Sequence, residues 1–83
     1  MVNLRDDLIR ASESHFLAHI EKHRINVENL LNNAVGVGEH ADIMDTIEKE
    51  IAIIAEYDDK LETLNKYFPI GYEGKDTKEL LNG

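Results

Sequence analysis

The sequence contains no cysteine, no tryptophan and a single proline among its 83 residues. Without cysteine, neither a disulfide framework nor a thiolate-bound zinc site can form. A chain of this length makes one domain, and such a domain buries only about 60% of the surface that the unfolded chain exposes. Domains this small usually gain support from disulfides, a metal or another subunit. Self-association, or a site built from histidines and carboxylates, therefore remains as the available support.

Basic residues are scarce. The chain has 9 lysines and arginines against 17 aspartates and glutamates, for a formal net charge of −8. Nucleic acids and anionic membranes are both bound mainly through lysine and arginine, so we expect no nucleic-acid partner and no membrane partner. Residues 39–68 hold nine acidic and three basic residues, whereas residues 1–38 hold five and four. The negative charge is thus concentrated in the second half of the chain.

Long apolar runs are also missing. The most apolar stretch, Ile51–Ala55, is much shorter than the about 20 residues that cross a bilayer. The N-terminal residues do not combine a basic segment with a following apolar one, so no signal peptide is predicted. We therefore expect a cytoplasmic protein.

Two long segments have the apolar periodicity of α-helices. Residues 3–34 contain neither glycine nor proline, and Asn3 can cap the first turn. The same periodicity returns over residues 41–68, ahead of the only proline, Pro69. The sequence therefore predicts two helices of nearly equal length.

The connection between the two predicted helices is short. Residues 35–40 include Gly36 and Gly38, and a connection of this length favours antiparallel packing of its helices. We predict an all-α fold, with a long helical hairpin over residues 1–68. Residues 69–83 should form a tail that is flexible or contains one short helix.

One face of each helix is apolar and should form the seam between them. Pairing about the connection places Val27 opposite Ile47 and Phe16 near Leu61. The predicted seam consists of Ile9, Phe16, Ile20, His23, Val27, Leu30, Leu31 and Ala34 from the first helix, and Ile43, Ile47, Ile51, Ile54, Leu61, Leu64 and Phe68, with Tyr57 at the edge, from the second.

A second, weaker apolar stripe lies about 130–150° around the first helix from the seam. A helix that is apolar on two sides usually has two partners, and one isoleucine of the second helix also lies off its seam. We therefore predict a homodimer that forms a four-helix bundle, with a different protein partner or a tail-covered monomer as the alternatives. The predicted interface residues are Leu4, Leu8, Ala11, Ala18, Ile25 and Ile53.

Three histidines, His15, His19 and His23, follow one another at intervals of four residues, a spacing that can chelate a metal on a helix. Di-iron bundles use Glu-x-x-His motifs, which this sequence lacks. By helical angle, His23 lies inside the seam, His19 at its border and His15 outside it, so we interpret them as core, boundary and solvated residues. A pH-responsive interface and a metal site are the alternatives. The candidate metal ligands are His19, His23, Glu50, Glu56 and Asp58.

Two acidic residues of the second helix are candidates for a buried contact. Asp58 is predicted to lie within the apolar face, near His15 and His19, where a carboxylate needs a partner such as histidine. Glu50 borders the same face closer to His23. The simpler role for either residue is to set the register of the helices, and the alternative is a ligand or catalytic role.

Catalysis has no support in the sequence. The chain lacks a cysteine nucleophile, Ser12 and Ser14 lie within a helix, and Gly36 and Gly38 do not form a complete phosphate-binding motif. We predict no catalytic residues and no cofactor. The leading prediction is a non-enzymatic protein–protein interaction module whose acidic second helix or tail engages a protein, and the alternative is a His/carboxylate metal-binding helical bundle.

Several segments resemble a known group of phage proteins. The stretch from His19 to Glu28, the triplet Gly38-Glu39-His40, the stretch from Ile47 to Glu50 and the stretch from Ile54 to Leu61 are similar to segments of small uncharacterised proteins of T4-like phages that infect marine cyanobacteria. The resemblance covers roughly residues 2–68. It implies a phage accessory or virion-associated protein, located in the host cytoplasm or in the virion, and it implies no activity or site residue.

Overall fold

Two antiparallel helices make up the described part of the protein. The computed structural model describes residues 3–33 and 40–71. Helix α1 spans Leu4–Asn32, helix α2 spans His40–Tyr67, and the two pack against each other. The predicted all-α hairpin is confirmed, and no strand occurs within these two ranges. Ala34, Gly36, Gly38 and the tail beyond Gly71 lie outside the described residues.

The start of α1 is stabilised by its cap. The Asn3 side-chain oxygen accepts a hydrogen bond from the Asp6 backbone N–H at 3.1 Å. The Asn3 carbonyl accepts a second hydrogen bond from the Asp7 N–H at 3.0 Å. Both aspartates lie in the first turn, where negative charge is favoured by the helix dipole. The predicted role of Asn3 as the cap is confirmed.

The seam follows most of the predicted apolar positions but is only partly shielded from solvent. Among the described residues, Ile9 is the one apolar side chain classed as buried, with 6% of its surface exposed. Two helices in contact leave the outer side of each seam residue near solvent, because no third element covers it within residues 3–33 and 40–71. The half-buried seam residues are Phe16, Ile20, His23, Val27, Leu30, Ile43, Ile47, Ile54, Tyr57, Leu61 and Leu64.

The seam on α2 lies further round the helix than the sequence predicted. Ile51 was assigned to the seam, yet 49% of its surface is exposed. Glu50 occupies the seam instead, and the next residue along a helix is turned by about 100°, which directs Ile51 outward. Ile53 was predicted to lie in a separate interface. It is half-buried, because it lies three residues after Glu50 and shares the same face of α2. Two further residues predicted for the seam are also exposed, Leu31 at 57% and Phe68 at 53%.

Beyond α2 the chain turns back onto the first turn of α1. The Gly71 N–H donates a hydrogen bond to Asp6 Oδ2 at 3.2 Å, and Arg5 Nη1 donates one to the Pro69 carbonyl at 3.2 Å. Gly71 has a φ of 61°, a conformation that residues with a side chain rarely adopt. Asp6 has 8% of its surface exposed, and among the described residues Ile9 alone is more buried, at 6%. Nothing in the sequence pattern predicted this contact.

Substituting Asp6 by alanine should destabilise the hairpin more than the same change at Asp7. Both variants lose one negative charge near the dipole, but only Asp6→Ala removes the acceptor of the Gly71 N–H. A hydrogen bond to a charged group contributes about 1.5–3 kcal/mol, which is the expected extra loss. Urea unfolding followed by circular dichroism, at one protein concentration, measures it. Equal losses for the two variants would show that the contact contributes nothing.

Candidate functional site

A row of histidines lies on α1 at the border of the seam. The ring centroids of His15 and His19 are 4.5 Å apart in an edge-to-face arrangement, and those of His19 and His23 are 6.3 Å apart with nearly parallel rings. His15 is exposed, whereas His19 and His23 are half-buried. The predicted exposure of His15 is therefore confirmed, whereas His23 is half-buried like His19 and is not a fully buried core residue.

Tyr57 of α2 packs against this row. Its ring stacks on His19, with centroids 4.4 Å apart and an interplanar angle of 5°, and meets His15 edge-on at 6.2 Å. Lys60 Nζ lies 4.5 Å from the centroid of the Tyr57 ring and 2.7 Å from Glu56 Oε2. The ring of His19 is therefore positioned by an aromatic neighbour.

His23 contacts a carboxylate across the seam. Its Nδ1 lies 2.6 Å from Glu50 Oε1, and Asn26 Nδ2 donates a hydrogen bond to the same oxygen at 2.9 Å. The side chains of His23 and Glu50 are 13% and 19% exposed. Hydrogen bonds from His23 first, and then from Asn26, hold the pKa of Glu50 below its ordinary value of 4.5, although burial acts in the opposite direction.

The pairing of His23 with Glu50 was anticipated in the sequence, and the structure confirms it. Asn26 was missed, because an amide at the edge of an apolar face is equally compatible with solvent exposure. The useful signal would have been the arrangement of the groups: Asn26 lies three residues after His23, and residues at this spacing share a helix face. One carboxylate can then accept from both.

The surroundings of His19 disfavour its protonation. Burial is the largest cause that lowers its pKa from the ordinary value of 6.5, and the positive charges of His15, Lys22, His23 and Lys60 act in the same direction. The neutral imidazole is consequently the main form at neutral pH. A neutral imidazole carries one ring nitrogen with an available lone pair.

The prediction for Asp58 was wrong. Asp58 is exposed, so it is not a carboxylate within the apolar face. The preceding residue, Tyr57, occupies that place, and a rotation of about 100° per residue directs Asp58 outward. Its proposed pairing with His15 or His19 is replaced by the stacking of Tyr57 on His19.

The five candidate metal ligands do not form one cluster within a chain. His23 and Glu50 are in contact, whereas Glu56 is exposed and paired with Lys60, and Asp58 is exposed. No group of three or more histidine, aspartate or glutamate side chains that could hold a metal occurs within the part of the chain that the structure describes. A single hairpin thus brings together only part of the predicted ligand set.

The second apolar stripe of α1 is exposed along the helix. Leu4, Leu8 and Ile25 have 66%, 59% and 48% of their surfaces exposed, and Ala11 and Ala18 are exposed as well. We call these five residues the outer stripe. The hairpin seam leaves all of them in solvent. Other exposed large apolar side chains are Leu17 at 52%, Met44 at 69% and Tyr67 at 62%.

Comparisons with known proteins assign the chain to no family. No family model, no curated protein and no solved structure matches the chain. Within the described residues, neither helix combines the length and apolar character needed to cross a membrane. The interpretation of function therefore rests on the geometry of this chain.

Replacing Glu50 by glutamine should reduce the loss of stability in acid. A carboxyl group whose pKa is lowered by folding stabilises the protein fully above its ordinary pKa, and this stabilisation disappears as the pH falls through the folded-state pKa. Wild-type protein should therefore lose more unfolding free energy than Glu50→Gln between about pH 6 and about pH 3. Urea unfolding across this range measures the difference.

Glu48→Gln is the matched control, because Glu48 is an exposed glutamate of the same helix. It should retain the pH dependence of the wild-type protein. If Glu50→Gln and Glu48→Gln behave alike, the contact with His23 and Asn26 does not stabilise the folded state.

Proposed function

We propose that the protein is a non-enzymatic interaction module that assembles as a homodimer, in which two hairpins form a four-helix bundle. The exposed outer stripe of α1 carries this proposal. Its three large residues, Leu4, Leu8 and Ile25, lie along one side of the helix at a distance from the seam. A second copy would cover this part of α1, which α2 leaves exposed.

The apolar area suggests an association of moderate strength. Full burial of a leucine or isoleucine contributes about 1.5–3 kcal/mol, and about half of each of these side chains is still exposed. Three such residues from each copy would contribute roughly 5–10 kcal/mol, which has to offset an association cost of about 4–15 kcal/mol. We therefore expect a concentration-dependent dimer with a dissociation constant of roughly tens of micromolar or weaker.

The distribution of charge favours contact through α1. Helix α1 contains five acidic and four basic residues, whereas α2 contains eight acidic and three basic ones. Two copies that meet through α1 bring nearly neutral helices together, while contact through α2 would bring two strongly acidic helices together. Like charges in contact oppose association.

In such a dimer the acidic residues of α2 face outward. We propose that this surface, or the tail, binds a second protein with a basic surface, since opposite charges steer association. The resemblance to proteins of T4-like cyanobacterial phages suggests a host protein or another virion component. Affinity capture from host extract tests this step, and captured proteins should be released by salt because exposed charges are screened.

Aspartate substitutions in the outer stripe should dissociate the dimer. Leu8→Asp and Ile25→Asp each place a charge in the proposed interface, and burying an unpaired charge strongly opposes association. Leu17→Asp is the control, because Leu17 is similarly exposed on the same helix but lies outside the stripe. Sedimentation velocity over a dilution series should show a dimer for the wild-type protein and Leu17→Asp, and a monomer for the other two variants.

The oligomeric state of the wild-type protein can also contradict the proposal. A compact wild-type monomer well above micromolar concentration would contradict the dimer. If Leu8→Asp and Ile25→Asp remain dimeric, the outer stripe is not the interface.

A further inference from the structure

Two neighbouring histidines of α1 are available as ligands. His15 and His19 are one turn apart, with ring centroids separated by 4.5 Å. Within residues 3–33 and 42–71, no ring nitrogen of either residue forms a hydrogen bond, whereas His23 Nδ1 is held by Glu50. Two histidines four residues apart on a helix can bind one metal ion from the same side. One such pair supplies only half of a tetrahedral site.

The spacing of the outer stripe extends through His15. The sequence positions 4, 8, 11, 15, 18, 22, 25 and 29 alternate in steps of four and three, the heptad spacing of helices that supercoil around a partner. These positions add His15, Lys22 and Asn29 to the five residues of the outer stripe. A second helix that covers the outer stripe would therefore also contact His15.

The same spacing fits a second copy in the antiparallel orientation. With a two-fold axis midway between His15 and Ala18, Leu8 faces Ile25 of the second copy. His15 then faces Ala18 of the second copy, whose small side chain leaves room for an imidazole. Lys22 faces Ala11 in the same way. A parallel pair would instead place Lys22 against Lys22, which like-charge repulsion disfavours.

We propose that His15 and His19 of two copies together form a binding site for a late first-row divalent cation, of which Zn²⁺ is the representative. The site rests on the proposed dimer, since each chain supplies half of the ligands. At about 1.5 Å per residue, all four histidines lie within about 4 Å of the two-fold axis, measured along the helix. His19 occupies the position next to Ala18, at the flank of the stripe, where it is stacked on Tyr57.

The chemistry of these residues suits such a cation. Imidazole nitrogens bind Zn²⁺, Cu²⁺ and Ni²⁺, and four nitrogen ligands at about 2.0–2.1 Å satisfy tetrahedral Zn²⁺. Stacking on Tyr57 restricts the His19 ring before the cation arrives. Because the complete site exists only in the dimer, binding of the cation strengthens dimerisation, and free Zn²⁺ at about 100 times its dissociation constant should tighten the dimer by about 100-fold.

The test uses the full chain after treatment with a chelator. Calorimetric titration with zinc chloride near neutral pH should give one Zn²⁺ per two chains, and sedimentation over a dilution series should show a tighter dimer with Zn²⁺ than without it. His15→Ala and His19→Ala should each lose both effects. The control is His40→Ala, which removes the remaining histidine outside the row and should bind Zn²⁺ as the wild-type protein does.

The outcomes separate this inference from the proposed function. A dimer in chelator that binds no Zn²⁺, or binds it unchanged in His15→Ala and His19→Ala, overturns the site and leaves the dimer intact. One Zn²⁺ per chain without tighter assembly also overturns the shared site. A monomer in chelator that dimerises with Zn²⁺ through both histidines supports the site and shows that the outer stripe alone is insufficient. A monomer under both conditions overturns both.

Discussion

A helix can remove from solvent only the face that a neighbouring element covers, and this constraint governs the whole hairpin. Helices α1 and α2 meet along one seam, so most seam residues are half-buried and Ile9 alone among the described apolar residues is classed as buried. A folded domain usually gains its stability from a core enclosed on all sides. A single hairpin therefore leaves large apolar side chains exposed outside the seam.

Polar contacts decide how the two helices are rotated against each other. The seam contains Glu50, which accepts hydrogen bonds from His23 and Asn26, and Tyr57, which stacks on His19. Any rotation of α2 that buried Ile51 would move Glu50 away from its two donors. These hydrogen bonds are largely shielded from solvent, which strengthens them, so they favour the observed rotation over others that bury similar apolar area.

The sequence predicted the architecture well because helical periodicity, the Asn3 cap and the short connection all depend on neighbours in the chain. It brought His23 and Glu50 together correctly, since His23 lies inside its apolar face and the pairing about the short connection places Glu50 near it. The predictions for Ile51 and Asp58 were wrong, because both residues lie at the edge of the seam. At such positions a helical wheel does not distinguish buried from exposed side chains. Small differences in helix rotation, set by tertiary contacts such as the stacking of Tyr57, decide the exposure of such residues.

The contact between Gly71 and Asp6 could not be predicted from periodicity, because it joins groups 65 positions apart in the chain. Its geometry affects the order of folding. A bond across so long a loop can form only after both helices have folded back, since the loop entropy has to be overcome first. Contacts made after the folding barrier slow unfolding and leave the folding rate almost unchanged. The turn at Pro69 and Gly71 should thus slow the separation of the two helices and extend the lifetime of the folded hairpin.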